Sequence, residues 1–251
     1  MEAQSGTRRA VLVTGAASGI GRAVAAAFAG AGYDVLAADL QPDPDGPGVP
    51  FAGDLTEREA NRAAVAAAVE RFGRLDVIVA NAGLQHVAPI EEFPEAEWDR
   101  LIALLLTSPF LLAKYAWPHL RASGDARFEV VASAHALAAS PFKAAYVSAK
   151  HGVLGLVRTL ALEGAEHGIS TSAICPGYVR TPLVERQIES QAAAHGISAE
   201  EVLQDVILAP HAVKRLIEPE EVAETALFLA GPAGRAFTGA PVVMDQGWTA
   251  R

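Results

Sequence analysis

Cysteine is almost missing from this chain: Cys175 is the only one in 251 residues. No intrachain disulfide can form, a usage that suits a reducing, cytoplasmic compartment. Cys175 is expected to end a buried strand as a small hydrophobe. Basic blocks are missing too. The 20 Lys+Arg residues are scattered and the formal net charge is -9, which argues against a nucleic-acid partner. There is no long apolar run. The most apolar stretch, Leu101 to Ala113, is interrupted by Thr107-Ser108-Pro109 and falls short of the roughly 20 residues that span a bilayer. Residues 1–9 are polar and lead straight into a strand, so no secretory signal and no membrane partner are expected. The seven histidines show no HExxH or other close spacing, so no metal is expected. No Pro/Gly/Ser-rich linker and no internal repeat divides the chain, so residues 1–251 are expected to form one domain.

What is present is apolar bulk. The hydrophobic fraction of 51% can build a large core, and 20% charge can keep the surface soluble. Short apolar runs, at Ala10–Val13, Asp34–Ala38, Val49–Ala52, Asp76–Ala80, Phe128–Ala132, Ser170–Ile174 and Pro241–Met244, read as buried strands. Helical stretches alternate with them: Ile20–Ala31, one capped by Thr56 and ending at Phe72, one from Glu95 to His119 with a disturbance at Pro109, and Lys143–His167. Glu218-Pro219-Glu220-Glu221 starts a further helix. Alternation of this kind predicts an α/β fold, a doubly wound parallel sheet covered on both faces. Residues 181–217 break the alternation and read as a helical insertion, with helices near 183–194 and 198–207. Asp43 to Gly48 is an exposed turn.

After the first strand comes Thr14-Gly15-Ala16-Ala17-Ser18-Gly19-Ile20-Gly21. Glycines let a pyrophosphate approach the backbone, and the helix that follows supplies N–H donors. A tight strand–helix turn in another α/β protein would look the same. No GK[ST] closes it, so it is not a phosphate-transfer loop. Asp39 ends the second strand, 18 residues after Gly21, where a carboxylate accepts from a ribose and repels a 2′-phosphate. With no Lys or Arg between Gly15 and Gly21, NAD is favoured over NADP. Asp54 is placed to contact the adenine edge, and Asn81-Ala82-Gly83 to bring backbone near the adenosine. Tyr146 and Lys150 lie four apart, on one helix face. A phenol beside an ammonium is a candidate base, and Ser133 a candidate donor to the reacting oxygen. An ordinary Tyr–Lys helix pair is the bland alternative.

TGAASGIG, Asp54-Leu55, NAG, Ser133, YVSAK and PGYVRTP occur in one order across nearly the whole chain. By that ordered set the chain resembles the short-chain dehydrogenase/reductase family. The resemblance implies a seven-stranded sheet in the order 3-2-1-4-5-6-7, usually a homotetramer, and oxidation of a secondary alcohol with Ser133, Tyr146 and Lys150 catalytic. It implies that NAD is held by Gly15, Ser18, Gly19, Ile20, Gly21, Asp39, Asp54, Leu55, Asn81, Ala82, Gly83, Tyr146, Lys150, Pro176, Gly177, Val179 and Thr181.

Narrower strings, Gln85-His86-Val87-Ala88-Pro89-Ile90, Ser133-Ala134-His135, Ser140-Pro141-Phe142-Lys143, the insertion from Leu183-Val184-Glu185-Arg186-Gln187-Ile188 to Lys214-Arg215, and Gly247-Trp248-Thr249-Ala250, are similar to the bacterial D-3-hydroxybutyrate dehydrogenases within that family. This resemblance assigns Gln85, His135, Lys143, Gln187 and Trp248 to a short hydroxy or keto acid, with 181–217 as a lid. No Arg is evident for bidentate carboxylate binding, and His86 and His211 have no assignment. Two departures stand out: Leu105 replaces the family's tetrad Asn, and Gln246 stands where Gly is frequent. A different substrate on the same scaffold (a sugar, a ring ketone or an acyl thioester) and a non-catalytic NAD sensor are the alternatives.

Overall fold

The structure, a computed structural model, describes residues 8–250; the sequence readings on residues 1–7 and 251 lie outside it. Seven strands, β1 (Ala10–Thr14), β2 (Asp34–Asp39), β3 (Val49–Ala52), β4 (Val77–Ala80), β5 (Ala126–Val131), β6 (Ile169–Pro176) and β7 (Pro241–Met244), form one parallel sheet in the order β3-β2-β1-β4-β5-β6-β7. That is the order the family resemblance implies.

The sheet is buried on both faces, which is why its strands read as unbroken apolar runs. Leu12, Leu36, Ile78, Phe128 and Val130 point to one face. Val11, Val13, Val35, Val77, Val79 and Val131 point to the other. Neighbours in sequence serve opposite layers because side chains alternate along a strand. On the second face lie α1 (Gly19–Gly30) and α8 (Pro219–Ala230), with Val24, Phe28, Val222 and Leu229 buried. Helices α2 (Arg58–Phe72), α4 (Ser108–Ser123) and α5 (Ala144–Gly164) cover the first face. Each fully buried Val, Leu or Phe contributes about 1.5–3 kcal/mol.

Strand order reverses between β1 and β4, and a crevice opens there beyond the strands' carboxyl ends. Thr14 pins its floor: Thr14 Oγ1 accepts from the Asn81 and Ala82 N–H groups at 2.9 and 3.0 Å, and Asn81 Nδ2 donates to Thr14 O at 2.8 Å.

Several local expectations are corrected. Thr56 does not cap α2; Glu57 precedes the helix, and the Thr56 hydroxyl donates to Asp54 instead. The long helix is disturbed before Pro109, not at it: α3 (Glu95–Ile102) passes through a π-helical turn, Ala103–Thr107, into α4. Pro109 falls in the first turn of α4, directly after the π-helical turn. The whole run Glu95–Ser123 has the length and mean hydropathy to cross a membrane, although its apolar heart alone does not. Leu101, Leu105, Leu111, Leu112 and Leu120 are instead buried in the protein core. The insertion carries α6 (Pro182–His195) and α7 (Ala199–Glu201), the latter continued by a π-helical turn, Val202–Ile207. Ile188, Val202, Ile207, Leu208 and Leu216 pack into a small core of their own.

Candidate active site

The crevice is a cleft of about 410 Å3. Its inner end is built by the glycine turn. Gly15 has φ +66°, and a Cβ there would stand 2.8 Å from Ala82 Cα; at Gly21 a Cβ would lie 2.0 Å from Gly15 O. No larger residue fits either position, so backbone forms the wall. Asp39 holds this turn: its Oδ2 accepts from the Ala17 N–H at 3.0 Å, and its Oδ1 from the Gln41 N–H at 3.1 Å.

Ser133 follows β5 and caps the turn Ala134–Ala136, its Oγ accepting from the His135 N–H at 3.1 Å. One turn into α5, Tyr146 and Lys150 face the same cleft. Ser133 and the Tyr146 phenol face each other closely enough for the serine to bear on the phenol's ionisation. Lys150 Nζ is buried, donates to Val131 O at 2.8 Å, and lies 5.5 Å from the Tyr146 ring centre. Burial raises the Tyr146 pKa, partly offset by the neighbouring Ser133. Burial lowers that of Lys150 to about 8. In the free protein, desolvation thus outweighs the activation of Tyr146 expected from its neighbours. Leu105 lies in an apolar cluster with Leu101, Ala145 and Ala149, packed against Tyr146.

The substrate candidates converge on the outer part of the same cleft. Lys143 is buried, and its Nζ donates to the Tyr178 hydroxyl at 3.2 Å. It follows Phe142, whose φ of 66° is a conformation a bulky residue rarely adopts. The Phe142 carbonyl accepts from the Ala88 N–H at 3.0 Å, tying the Gln85 loop to the start of α5. Gln85 Nε2 is buried without a hydrogen-bond partner among the described residues. His135 is held at both ring nitrogens, Nδ1 3.4 Å from Ser133 Oγ and Nε2 2.9 Å from Ser140 Oγ. Burial, with the Lys143 and His151 charges, lowers its pKa to about 4, so the ring is neutral at physiological pH. Trp248 stands 5.0 Å from the His135 ring and 6.4 Å from that of His211. It is set by Asp245, which accepts from the Gly247 and Thr249 N–H groups at 3.0 and 2.8 Å.

Gly15, Ser18, Gly19, Ile20, Asp39, Asn81, Gly83, Ser133, Tyr146, Lys150, Pro176, Gly177, Val179, Thr181, Gln85, His135, Lys143, Gln187 and Trp248 all line the cleft. Gly21 and Ala82 sit behind that wall. Asp54 and Leu55 are not among the lining residues; Leu55 is buried, and the Asp54 carboxylate accepts from Thr56. Tyr178 and Arg186 also line it, and neither was assigned from sequence. Both lay inside quoted strings, PGYVRTP and LVERQI, but a string does not say which side chains turn inward. Arg186 thus lines the cleft, although no arginine was evident in the sequence for bidentate carboxylate binding. Gln246 has φ +54°, in the left-handed region, which is why glycine suits that position.

A protein-family model described as enoyl-(acyl carrier protein) reductase matches residues 15–249. Over 97% of the chain and 99% of the relative, the sequence is 43% identical to D-beta-hydroxybutyrate dehydrogenase from Rhizobium meliloti (strain 1021). It is 38% identical to the protein of the same name from Cupriavidus necator, over 97% of the chain and 98% of that relative. Among solved structures, ligand-free aldohexose dehydrogenase from Thermoplasma acidophilum superposes with a TM-score of 0.91 at 29% identity, covering 97% of this chain and 95% of that one.

Proposed function

The chain belongs to the short-chain dehydrogenase/reductase family, and on that premise we propose that it interconverts D-3-hydroxybutyrate, or a similar short 3-hydroxy acid, and acetoacetate using NAD. The observation that carries the substrate is the pairing, in one cleft, of the buried Lys143 ammonium with the unpartnered Gln85 amide donor, beside Ser133 and Tyr146. A buried cation and a buried unmet donor ask for an anion with acceptor lone pairs. A carboxylate meets both needs, and the names of the two relatives support it.

The glycine wall fits a dinucleotide, since Gly15, Ser18, Gly19 and Ile20 line the cleft where α1 begins and present mostly backbone to it. Gly15, Ser18, Gly19 and Ile20 would hold its pyrophosphate at the start of α1, and Asp39 its ribose. When bound, the nicotinamide supplies the hydride acceptor. The protein does the rest. Tyr146 takes the alcohol proton, and Ser133 donates to the oxygen as it becomes a carbonyl. Lys150 sets positive charge beside the phenol, which favours its ionised form against the cost of burial. Lys143, Gln85 and Gln187 orient the carboxylate, with Trp248 and neutral His135, held at both ring nitrogens, flanking it. Helices α6 and α7 form a lid over the opening, within one domain.

A panel of D- and L-3-hydroxybutyrate and 2-butanol, followed by NADH absorbance with NAD and NADP, tests the reading. Good turnover of the neutral alcohol with none on either hydroxy acid would sink the substrate assignment.

A further inference from the structure

We propose that Lys143 and the Tyr178 hydroxyl act as one two-pronged donor for the substrate carboxylate, the part an arginine fork plays in other sites. The proposal rests on the reading that the cleft takes a short hydroxy acid. Tyr178 follows β6 and Lys143 immediately precedes α5, so the pair exists only where these two segments meet. Lys143 Nζ lies 3.2 Å from the Tyr178 oxygen and 5.4 Å from the ring centre. The ammonium therefore engages the oxygen rather than the aromatic face. Among the described residues no carboxylate pairs with Lys143. The Tyr178 ring is fixed from behind. The Ile217 N–H donates to Tyr178 O at 2.9 Å, the His211 ring meets it at a steep angle with 5.9 Å between centres, and it packs against the lid core of Ile188 and Leu216.

A phenol oxygen that accepts from an ammonium keeps its own O–H to give. Among the described residues nothing accepts that proton. Accepting from a charged donor polarises the hydroxyl and strengthens the bond it makes in turn. Both residues line the cleft, so one carboxylate oxygen takes an Nζ proton and the other takes the phenol's. Two donors held side by side select a carboxylate over the matching amide, whose NH2 group offers no lone pair to the second prong. His135 leaves this role open, because both of its ring nitrogens are engaged by serines.

Tyr178→Phe keeps the ring and removes the hydroxyl. Calorimetry with NAD present compares butyrate with butyramide. The wild type is expected to bind butyrate roughly tenfold tighter, and Tyr178→Phe to lose roughly tenfold on butyrate and much less on butyramide. With D-3-hydroxybutyrate the loss should fall on KM more than on kcat, since the contact is made in ground and transition states alike. On 2-butanol it should be smaller. Adding Tyr178→Phe to Lys143→Ala should cost less than Tyr178→Phe costs in the wild type, because the prongs act as a unit. Losses that multiply in full, or equal losses on butyrate and butyramide, overturn the fork and leave Tyr178 as packing. Butyrate binding no tighter than butyramide in the wild type overturns it as well. No NADH from any 3-hydroxy acid, with the butyrate preference present and lost in Tyr178→Phe, supports the fork and sinks the substrate reading alone.

Discussion

Asp39 has two demands on one carboxylate: it holds the Ala17 N–H of the glycine turn and it lines the cleft. Asp39→Ala is therefore expected to loosen NAD binding and, by removing a repelling charge, to narrow the NAD over NADP preference by roughly tenfold, about 1.4 kcal/mol. Cofactor titrations with both nucleotides check this. Tyr146→Phe removes the exchanging proton and little volume. It should lower kcat by about 10²–10⁴ while NAD affinity, followed by fluorescence, stays near wild type. Since burial raises the phenol's pKa, the wild-type oxidation rate should climb from neutral to alkaline pH. A flat profile with chemistry rate-limiting would remove Tyr146 as the base. Lys143→Ala should cost kcat/KM for 3-hydroxybutyrate roughly ten- to a hundredfold, from about 1.5–3 kcal/mol per charge-assisted bond. A neutral alcohol has no carboxylate to lose, so equal losses on 2-butanol would mean that Lys143 supports structure instead.

Strand β5 carries Arg127 and Glu129 among its apolar residues, both buried. Arg127 is satisfied by the Leu229, Ala126 and Gly231 carbonyls and by Asp125. Neither Glu129 oxygen has a hydrogen-bond partner among the described residues. Burial raises the Glu129 pKa well above its ordinary value, against the opposing charges of Arg127 and Arg9, so the fold favours the neutral acid. The folded state holds a proton that the unfolded chain releases above the ordinary Glu range. Stability is full below that range and falls as pH rises toward the folded pKa, at up to ~1.4 kcal/mol per pH unit. Glu129→Gln keeps the shape without the ionisation and should flatten this decline. Urea unfolding of both proteins between pH 5 and 8 reads it, and identical slopes would refute it. The α3–α4 run is a second case of local pattern meeting its neighbours. The π-helical turn lies where Leu105 packs beneath Tyr146, and nothing in the apolar spacing announces it.

Across the whole molecule, Asp76 ties together parts distant in sequence. One oxygen accepts from the Ala10 N–H at 2.8 Å and from Arg74 Nε at 2.7 Å; the other accepts from Arg74 Nη2 at 2.7 Å and Ser123 Oγ at 2.6 Å. Burial alone would raise its pKa, but these bonds outweigh burial and lower it. Its contribution is therefore present above the ordinary Asp range and lost as pH falls through the lowered value. Asp76→Ala strands the start of β1 and the end of α4. The expected loss is about 3 kcal/mol, or roughly 6–12 °C in Tm for a domain of this size. Calorimetry checks it, and a shift within 2 °C of wild type, about 0.5–1 kcal/mol, would show the staple to be dispensable.

The sheet order, the helices between strands, the glycine turn and the one-face placement of Tyr146 and Lys150 were legible in the sequence, the order itself through family resemblance. The local features rest on spacing between near neighbours, and spacing is written along the chain. Thr56 was misread because its hydroxyl had two local partners within reach, and only the completed turn showed Asp54 winning. Tyr178 and Arg186 escaped because an inward direction depends on how α6 settles over the cleft. Gln85, Lys143 and Trp248 come from segments far apart in the chain and meet only after the loops beyond β4, β5 and β7 dock on one another. Local sequence decided which elements form and which groups each can offer. Tertiary structure decided which groups share a cavity, which keep their water, and therefore how burial moves the charges of Tyr146, Lys150 and His135. Desolvation depends on everything that packs around a group, and no short stretch of chain contains that.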